Sequence, residues 1–295
     1  MGRLCGLFGI TRQAYYQYFW RESDYQIEEE LLIQEVRTIR KRQPMIGTRK
    51  LYGMLQSFML QHQIKVGRDA LFELLASNGL LVRRKKKKAQ TTFSSHWLRK
   101  HPNLIKGIEP TKPNNVWVSD ITYLETEIGF IYISLITDAY SRKVVGYHAA
   151  DNLLAVSSVE ALKMALKNMP KSLENLIYHS DRGIQYCSQE YVNVLQDYQV
   201  KISMTQNGDP LENAIAERVN GILKNELMPN VKIENLEHAQ KLLKEIVLIY
   251  NDERPHMSIA LLTPNQAHQL DGKLKSYWKS YHKKATLNLY QDFQL

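Results

Sequence analysis

Apolar residues recur at helical spacing through most of the first eighty positions of the chain. Between Ile27 and Arg42 they stand three or four residues apart, which predicts an amphipathic helix. Thr48 opens a second pattern of this kind, and Gly67 opens a third that ends at Gly79. Three short helices of this size predict a small bundle.

A shorter helical pattern precedes these three helices. Cys5 lies four positions before Gly9, and Thr11 is placed to cap a helix that begins with Arg12. This is helix-turn-helix spacing, in which Arg12 would contact DNA, although any short helical hairpin with a glycine turn gives the same pattern. In the bundle, the third helix would enter the groove of DNA with Arg68 in its first turn. An ordinary helical bundle is the alternative.

The pattern changes at Val116 to an alternation of β-branched and aromatic residues with polar ones. Three such segments, joined by short turns, predict an antiparallel meander at 116–126, 129–137 and 143–149. Helices and strands then alternate: a helix from Val156, strands at 175–180 and 200–204, and helices at 188–198, about 211–227 and 236–250. This order predicts an α/β fold, a mixed sheet with helices on its faces, preceded by an all-α region.

These changes of pattern predict five segments. They are an N-terminal helix-turn-helix remnant at 1–24, a three-helix DNA-binding domain at 25–82, a basic linker at 83–113, an α/β core at 114–270 and a C-terminal tail at 271–295.

The charge of the chain is concentrated in its first third. The whole sequence carries 39 Lys and Arg against 30 Asp and Glu, a formal net charge of +9. Residues 1–100 hold nineteen of the basic and eight of the acidic residues, so the rest of the chain is slightly acidic. An unbroken basic run consists of Arg83, Arg84, Lys85, Lys86, Lys87 and Lys88. Such a run is either a solvated linker or a contact with DNA phosphates, and both descriptions can hold together.

Cysteine usage and hydropathy point to a cytoplasmic protein. Cys5 and Cys187 are too few for a disulfide framework or a cysteine-rich zinc site. No stretch approaches the ~20 apolar residues of a membrane helix, and the first residues lack a secretion or lipidation signal. We therefore expect no membrane partner.

Three acidic residues stand at positions of chemical interest. Asp120 falls inside the first predicted strand, and Asp181 ends the fourth. Glu217 shares the polar face of the predicted helix 211–227 with Asn213 and Lys224. Burying an unpaired carboxylate costs several kcal/mol, so such groups are usually paired or bound to metal. Taken singly, each has an ordinary alternative: a salt bridge for Asp120, a loop cap for Asp181 and a solvated helix face for Glu217.

Taken together, the motifs around these residues resemble those of DDE-type transposases and retroviral integrases. The matching stretches are Trp117-Val-Ser-Asp-Ile-Thr-Tyr, His179-Ser-Asp-Arg-Gly-Ile-Gln-Tyr, Gly208-Asp-Pro-Leu-Glu-Asn-Ala-Ile-Ala-Glu and Tyr250-Asn-Asp-Glu-Arg-Pro-His. Thirty-five residues separate Asp181 from Glu217, and Lys224 follows seven positions later. The sequence is most similar to the catalytic second-frame subunit of bacterial insertion-sequence transposases.

The resemblance implies a ribonuclease H-like integrase catalytic core, preceded by an all-α helix-turn-helix DNA-binding region. It implies that Asp120, Asp181 and Glu217 are the catalytic carboxylates and bind Mg²⁺ or Mn²⁺, with two ions in the site. The implied activity is metal-dependent DNA strand cleavage and strand transfer at the ends of the element itself. Lys224 is implied to hold a terminal phosphate close to the metals.

Two further residues near these carboxylates have open roles. His179 shares a strand face with Asp181, and it could contact DNA or be a histidine of the core. Asn213 could position DNA or cap the helix. The late motif from Tyr250 to His256 is assigned to packing and to backbone contact.

The resemblance also implies partners: double-stranded DNA from the element ends and the target, further copies of this chain on DNA, and the upstream-frame protein of the same element. Two other functions compete with the transposase. A non-catalytic DNA-binding regulator would have no need of three acidic residues, and a ribonuclease acting on RNA–DNA hybrids would have no need of the basic helices.

Overall fold

The computed structural model describes residues 2–82, 98–126, 129–169, 175–206, 210–229 and 231–277. The chain divides into two compact units, Met1–Lys86 and Lys87–Leu295. Each unit has its own buried apolar core. The basic run at 83–88 lies outside the described residues.

The described part of the first unit is helical. Its helices are α1 (Gly2–Leu7), α2 (Arg12–Arg42), α3 (Thr48–Gln61) and α4 (Arg68–Ser77). Gly9 separates α1 from α2 with a φ of +65°, a left-handed conformation that suits glycine. The Thr11 side chain accepts a hydrogen bond from the Ala14 backbone N at 3.1 Å, which confirms the predicted cap of α2.

Helix α2 runs without interruption through the boundary predicted between residues 24 and 25. The stretch from Arg21 to Gln26 across this boundary is polar. No Gly or Pro lies in this stretch, so the backbone can continue as a helix. The helical secondary structure therefore shows no division at this position.

The core of the first unit confirms the three-helix bundle. Leu32 and Val36 of α2, Leu51 and Leu55 of α3 and Leu75 of α4 are all fully buried. They belong to one apolar cluster of the three helices and the loops between them.

The second unit is built on a five-stranded mixed sheet. Its strands are β1 (Val116–Thr126), β2 (Gly129–Asp138), β3 (Val144–Ala150), β4 (Ile177–Ser180) and β5 (Lys201–Met204). The strand order is β3-β2-β1-β4-β5. The first three strands pair antiparallel, which confirms the meander, and β4 pairs parallel with both β1 and β5. This is the expected ribonuclease H-like arrangement.

Helices cover both faces of the sheet. They are α5 (Ala155–Lys167), α6 (Gln189–Asp197), α7 (Ala214–Ile222) and α8 (Leu236–Asp252), followed by the single turn α9 (Pro264–Ala267). Helices α5 and α6 enclose an apolar cluster with Trp117 and Ile136. Helices α7 and α8 enclose another with Leu124, Ile133 and Leu135. No helix of the described residues is long and apolar enough to cross a membrane.

The helix predicted at 211–227 has three parts instead of one. A 3₁₀-helix, Pro210–Asn213, precedes α7, and a π-helical turn, Leu223–Leu227, follows it. The regular 100° rotation that grouped Asn213, Glu217 and Lys224 on one face therefore holds only within α7.

Candidate active site

Two neighbouring parallel strands carry the two aspartates. Strands β1 and β4 align Val118 with His179. The two strands run in the same direction, so the residues two positions further along each strand are also neighbours. This register brings Asp120 beside Asp181 at the carboxyl end of β4. Ligand sites of α/β sheets collect at such strand ends.

Asp120 is half-buried and tied to both the strand and helix α7. Its Oδ1 accepts from the Ile121 backbone N at 3.0 Å, and its Oδ2 accepts from Asn220 Nδ2 at 2.8 Å. Burial and the nearby charge of Asp181 raise the pKa of Asp120 to about 7, with a smaller contribution from Glu217. The bonds from Asn220 and Ile121 oppose this rise in pKa. All three predicted carboxylates therefore contribute to one electrostatic environment.

Asp181 is held by the loop that follows β4. Its Oδ1 accepts from the Gly183 backbone N at 2.9 Å. A Cβ atom at Gly183 would stand 3.0 Å from this oxygen and 3.2 Å from Gln185 Oε1. The absence of a side chain at Gly183 therefore allows the loop to close on the carboxylate.

Glu217 is exposed in the first turn of α7. Ala216 of the same helix packs against Val116 and Val118, and Asn220 reaches Asp120, so this side of α7 faces β1. Among the residues described, no three His, Cys, Asp or Glu side chains are grouped closely enough to enclose a metal ion. The carboxylates interact through their charges without forming a ready-made ligand group.

Lys224 lies in the π-helical turn and reaches β1. Its Nζ donates to the Tyr123 backbone O at 2.5 Å and stands 4.2 Å from the centroid of the Tyr123 ring. The Tyr123 ring itself is exposed. The ammonium group is therefore on the surface, three residues along β1 from Asp120.

His179 is fully buried, inside the sheet. Its Nδ1 lies 2.8 Å from Ser203 Oγ, and the Leu104 backbone N donates to the same oxygen. Burial lowers the pKa of His179 to about 4, partly offset by Glu212. The imidazole is therefore neutral at physiological pH and supports the sheet from within.

Asn213 is also buried, and its Nδ2 donates to the Ser119 backbone O at 2.9 Å. This bond fixes the start of α7 to the strand position directly before Asp120. The Asn213 side chain makes no capping hydrogen bond to α7.

Two predicted DNA contacts of the first unit, Arg12 and Arg68, lie on its surface. Arg12 is exposed in the first turn of α2. Arg68, also exposed, begins α4 and pairs with its neighbour Asp69 at 2.8 Å. The basic residues from Arg83 to Lys88 lie outside the described residues.

The late motif from Tyr250 to His256 has a packing role, as predicted. Both polar atoms of the Asn251 side chain bond to the Val144 backbone, at 3.0 Å each. The Tyr250 hydroxyl donates to the Arg142 backbone O at 2.9 Å.

Asn220 was not among the site residues predicted from the sequence. It stands three residues after Glu217, so the two share one side of α7, and this spacing is the signal that could have identified it.

The chain matches two protein-family models, both described as integrase core domain, over residues 110–210 and 198–264. It is 34% identical over 266 residues to the 31 kDa protein of insertion element IS600 from Shigella sonnei, which covers 88% of this chain and 96% of the relative. It is 30% identical to the putative transposase of IS986/IS6110 from Mycobacterium tuberculosis, over 65% of this chain and 71% of the relative. The transposase InsF of insertion sequence IS3A from Escherichia coli is 31% identical, over 65% and 67%.

Two solved structures are similar in part. The catalytic core domain of HTLV-2 integrase, in complex with magnesium, gives a TM-score of 0.43 at 22% identity and covers 54% of this chain and 99% of that one. A simian T-cell lymphotropic virus intasome chain gives 0.47 at 18% identity, over 79% and 80%. The sequence relatives cover most of the chain. The chain therefore belongs to the insertion-sequence transposases that carry an integrase core domain, and its function is transposition.

Proposed function

We propose that the chain catalyses metal-dependent cleavage and strand transfer at the ends of its own insertion sequence, with Asp120, Asp181 and Glu217 as the catalytic carboxylates. The observation that carries this proposal is geometric: the parallel register of β1 and β4 brings Asp120 beside Asp181, and Asn220 of α7, the helix that carries Glu217, donates to Asp120 Oδ2 at 2.8 Å. Three negative charges in one environment repel one another, and a bound cation relieves that repulsion.

The donor set fits Mg²⁺ or Mn²⁺. Carboxylate oxygens are hard ligands, and the site offers them from a strand, a strand end and a helix. Asp120, Asp181 and Glu217 would hold two ions. When bound, such a pair stabilises the attacking and leaving oxygens of an in-line displacement at phosphorus.

The remaining residues of the site act on DNA and on the carboxylates. Lys224 would bind a backbone phosphate near Glu217, since its ammonium is on the surface beside β1. His179 and Asn213, being buried, would contribute by holding β4 and β1 in place. Arg12, Arg68 and the basic run from Arg83 to Lys88 would bind DNA outside the catalytic core.

This chemistry requires partners. The substrate would be double-stranded DNA, and joining two element ends calls for a homo-oligomer on DNA. The upstream-frame protein of the same element would be a further partner. Neither of the two competing functions, a regulator and a ribonuclease, would form a strand-transfer product.

The test is Mg²⁺-dependent joining of a labelled duplex, taken from the end of the insertion sequence, by the purified chain. Glu217→Gln should abolish joining, about 10³-fold or more, and keep DNA binding, because the amide has no charge to offer a cation. Glu237→Gln is the matched control, since Glu237 is also an exposed glutamate in the first turn of its helix. Joining that survives Glu217→Gln would remove Glu217 from the reaction.

A further inference from the structure

An ion pair with a buried arginine joins the segment after α8 to the π-helical turn that follows α7, the helix that carries Glu217. The Arg254 side chain is 1% exposed, and its Nη2 donates to Glu226 Oε2 at 2.5 Å. Glu226 belongs to the π-helical turn Leu223–Leu227, directly after α7. A guanidinium buried this deeply needs a carboxylate partner, so the pair holds the π-helical turn against the core.

The arginine end of the pair is anchored to the sheet. Arg254 Nη1 lies 3.1 Å from His256 Nε2, which must accept because a guanidinium only donates. The His256 ring packs edge-on against Tyr250, with ring centroids 5.0 Å apart. Asn251, three residues before Arg254, bonds twice to Val144 of β3. Arg254 is therefore fixed by groups that do not depend on α7.

The glutamate end of the pair reaches the catalytic helix. Lys224 stands two residues before Glu226 in the same turn, and Arg218, next to Glu217, donates to Glu226 Oε1 at 2.7 Å. A π-helical turn closes i→i+5 and rotates each residue less than an α-helix does. Reversion of this turn to α-helix would therefore rotate Lys224 away from its place over Tyr123.

We propose that Arg254 is a positioning residue for strand transfer: its ion pair with Glu226 sets the π-helical turn, and with it the placement of Glu217 and Lys224 relative to β1. This inference rests on the proposed function, because it assumes that Glu217 and Lys224 take part in the reaction. Arg254 is buried and contacts no DNA itself.

The test separates positioning from stability by replacing both partners. Removing Glu226 alone leaves the buried Arg254 without its carboxylate partner and destabilises the fold, whereas the double variant Glu226→Gln/Arg254→Met leaves no buried charge and should recover the wild-type melting temperature. Joining of the labelled element end should nevertheless stay about tenfold to a hundredfold below wild type, as expected for misplaced catalytic groups. The Mg²⁺ concentration for half-maximal joining should rise.

Lys163→Met is the matched control. It removes an ion pair with Glu160 on α5, on the opposite face of the sheet, and should change neither joining nor the Mg²⁺ requirement. A double variant that recovers the melting temperature together with wild-type joining and Mg²⁺ dependence would show that Arg254 serves the fold alone, and would overturn the proposal.

Two further outcomes are informative. If the double variant does not fold, Glu226→Gln alone is measured at a temperature where circular dichroism shows it folded; an unchanged Mg²⁺ requirement then overturns the proposal, and a raised one supports it. If the wild-type chain shows no Mg²⁺-dependent joining, or Glu217→Gln joins normally, the proposed function itself fails, and the inference fails with it.

Discussion

Asp120 is the residue whose chemistry depends most on its neighbours. Its folded-state pKa of about 7 lies above the ordinary value of 3.8. The folded protein therefore binds this proton more tightly than the unfolded chain does. The favourable contribution is fully present below pH 3.8 and is lost as the pH rises towards 7.

Replacing Asp120 with Asn should remove this pH dependence. At pH 8 the Asp120→Asn variant should be more stable than the wild type by about 1–2 kcal/mol, with partial exposure taken into account, and should melt a few degrees higher. At pH 4 the difference should shrink. Thermal melts of the metal-free protein across this range provide the measurement, with Glu125→Gln, an exposed acid on the same strand, as control. A constant difference at all pH values would contradict the stated cause.

The three carboxylates and Lys224 could be chosen as candidates because their spacing is a property of the sequence; their roles remain a prediction. The spacing of Asn220 from Glu217 was visible in the sequence, but its hydrogen bond to Asp120, a hundred positions away, was not. The burial of His179 and Asn213 likewise depends on the packing of β4, β5 and the start of α7. Sequence spacing identifies chemical groups, but long-range contacts decide which of them are held inside.

At the scale of elements, the strands were predicted closely because alternation of apolar and polar residues is a local signal. Strand β1 spans 116–126 as predicted, whereas β4 begins at Ile177, two residues late. The π-helical turn after α7 had no local signal, since it is held by the pair between Glu226 and Arg254. The close approach of β3 to α5 could not be predicted from the sequence either.

That approach makes Gly146 sensitive to substitution. An added Cβ would stand 2.9 Å from the Ala165 Cβ and would overlap the Ala161 backbone O of α5. Gly146→Ala should therefore destabilise the second unit by about 1–3 kcal/mol or more, because the helix must move away from the strand. Chemical denaturation measures this change.

Gly53→Ala is the control for this prediction. Gly53 is exposed within α3, and an added Cβ there meets nothing within 4 Å. That substitution should stabilise the first unit by about 0.5–1 kcal/mol through helix propensity. If Gly146→Ala were neutral or stabilising, β3 and α5 would not be packed as closely as the structure indicates.

At the scale of the whole molecule, the excess of basic residues and the acidic residues of the candidate site lie in different parts of the chain. Residues 1–100 carry the basic excess, and the second unit carries the acidic residues of the candidate site. A core whose three carboxylates share one electrostatic environment repels DNA until cations bind, so affinity for DNA must come from elsewhere in the chain. Family membership and this division of charge were both accessible from the sequence, because they depend on composition and motif order rather than on contacts.

Substitutions in the basic run from Arg83 to Lys88 test whether DNA affinity comes from outside the core. Replacing Lys85, Lys86, Lys87 and Lys88 with Gln removes up to four cations that can neutralise phosphates. Each lost phosphate contact should flatten the slope of log affinity against log salt by about 0.9. Because phosphates carry no sequence information, affinity for element ends and for unrelated duplexes should fall together. Binding titrations on both duplexes over a range of salt concentrations measure this. A salt slope equal to that of the wild type would mean that the run only connects the two units, and that the helices of the first unit bind the DNA alone.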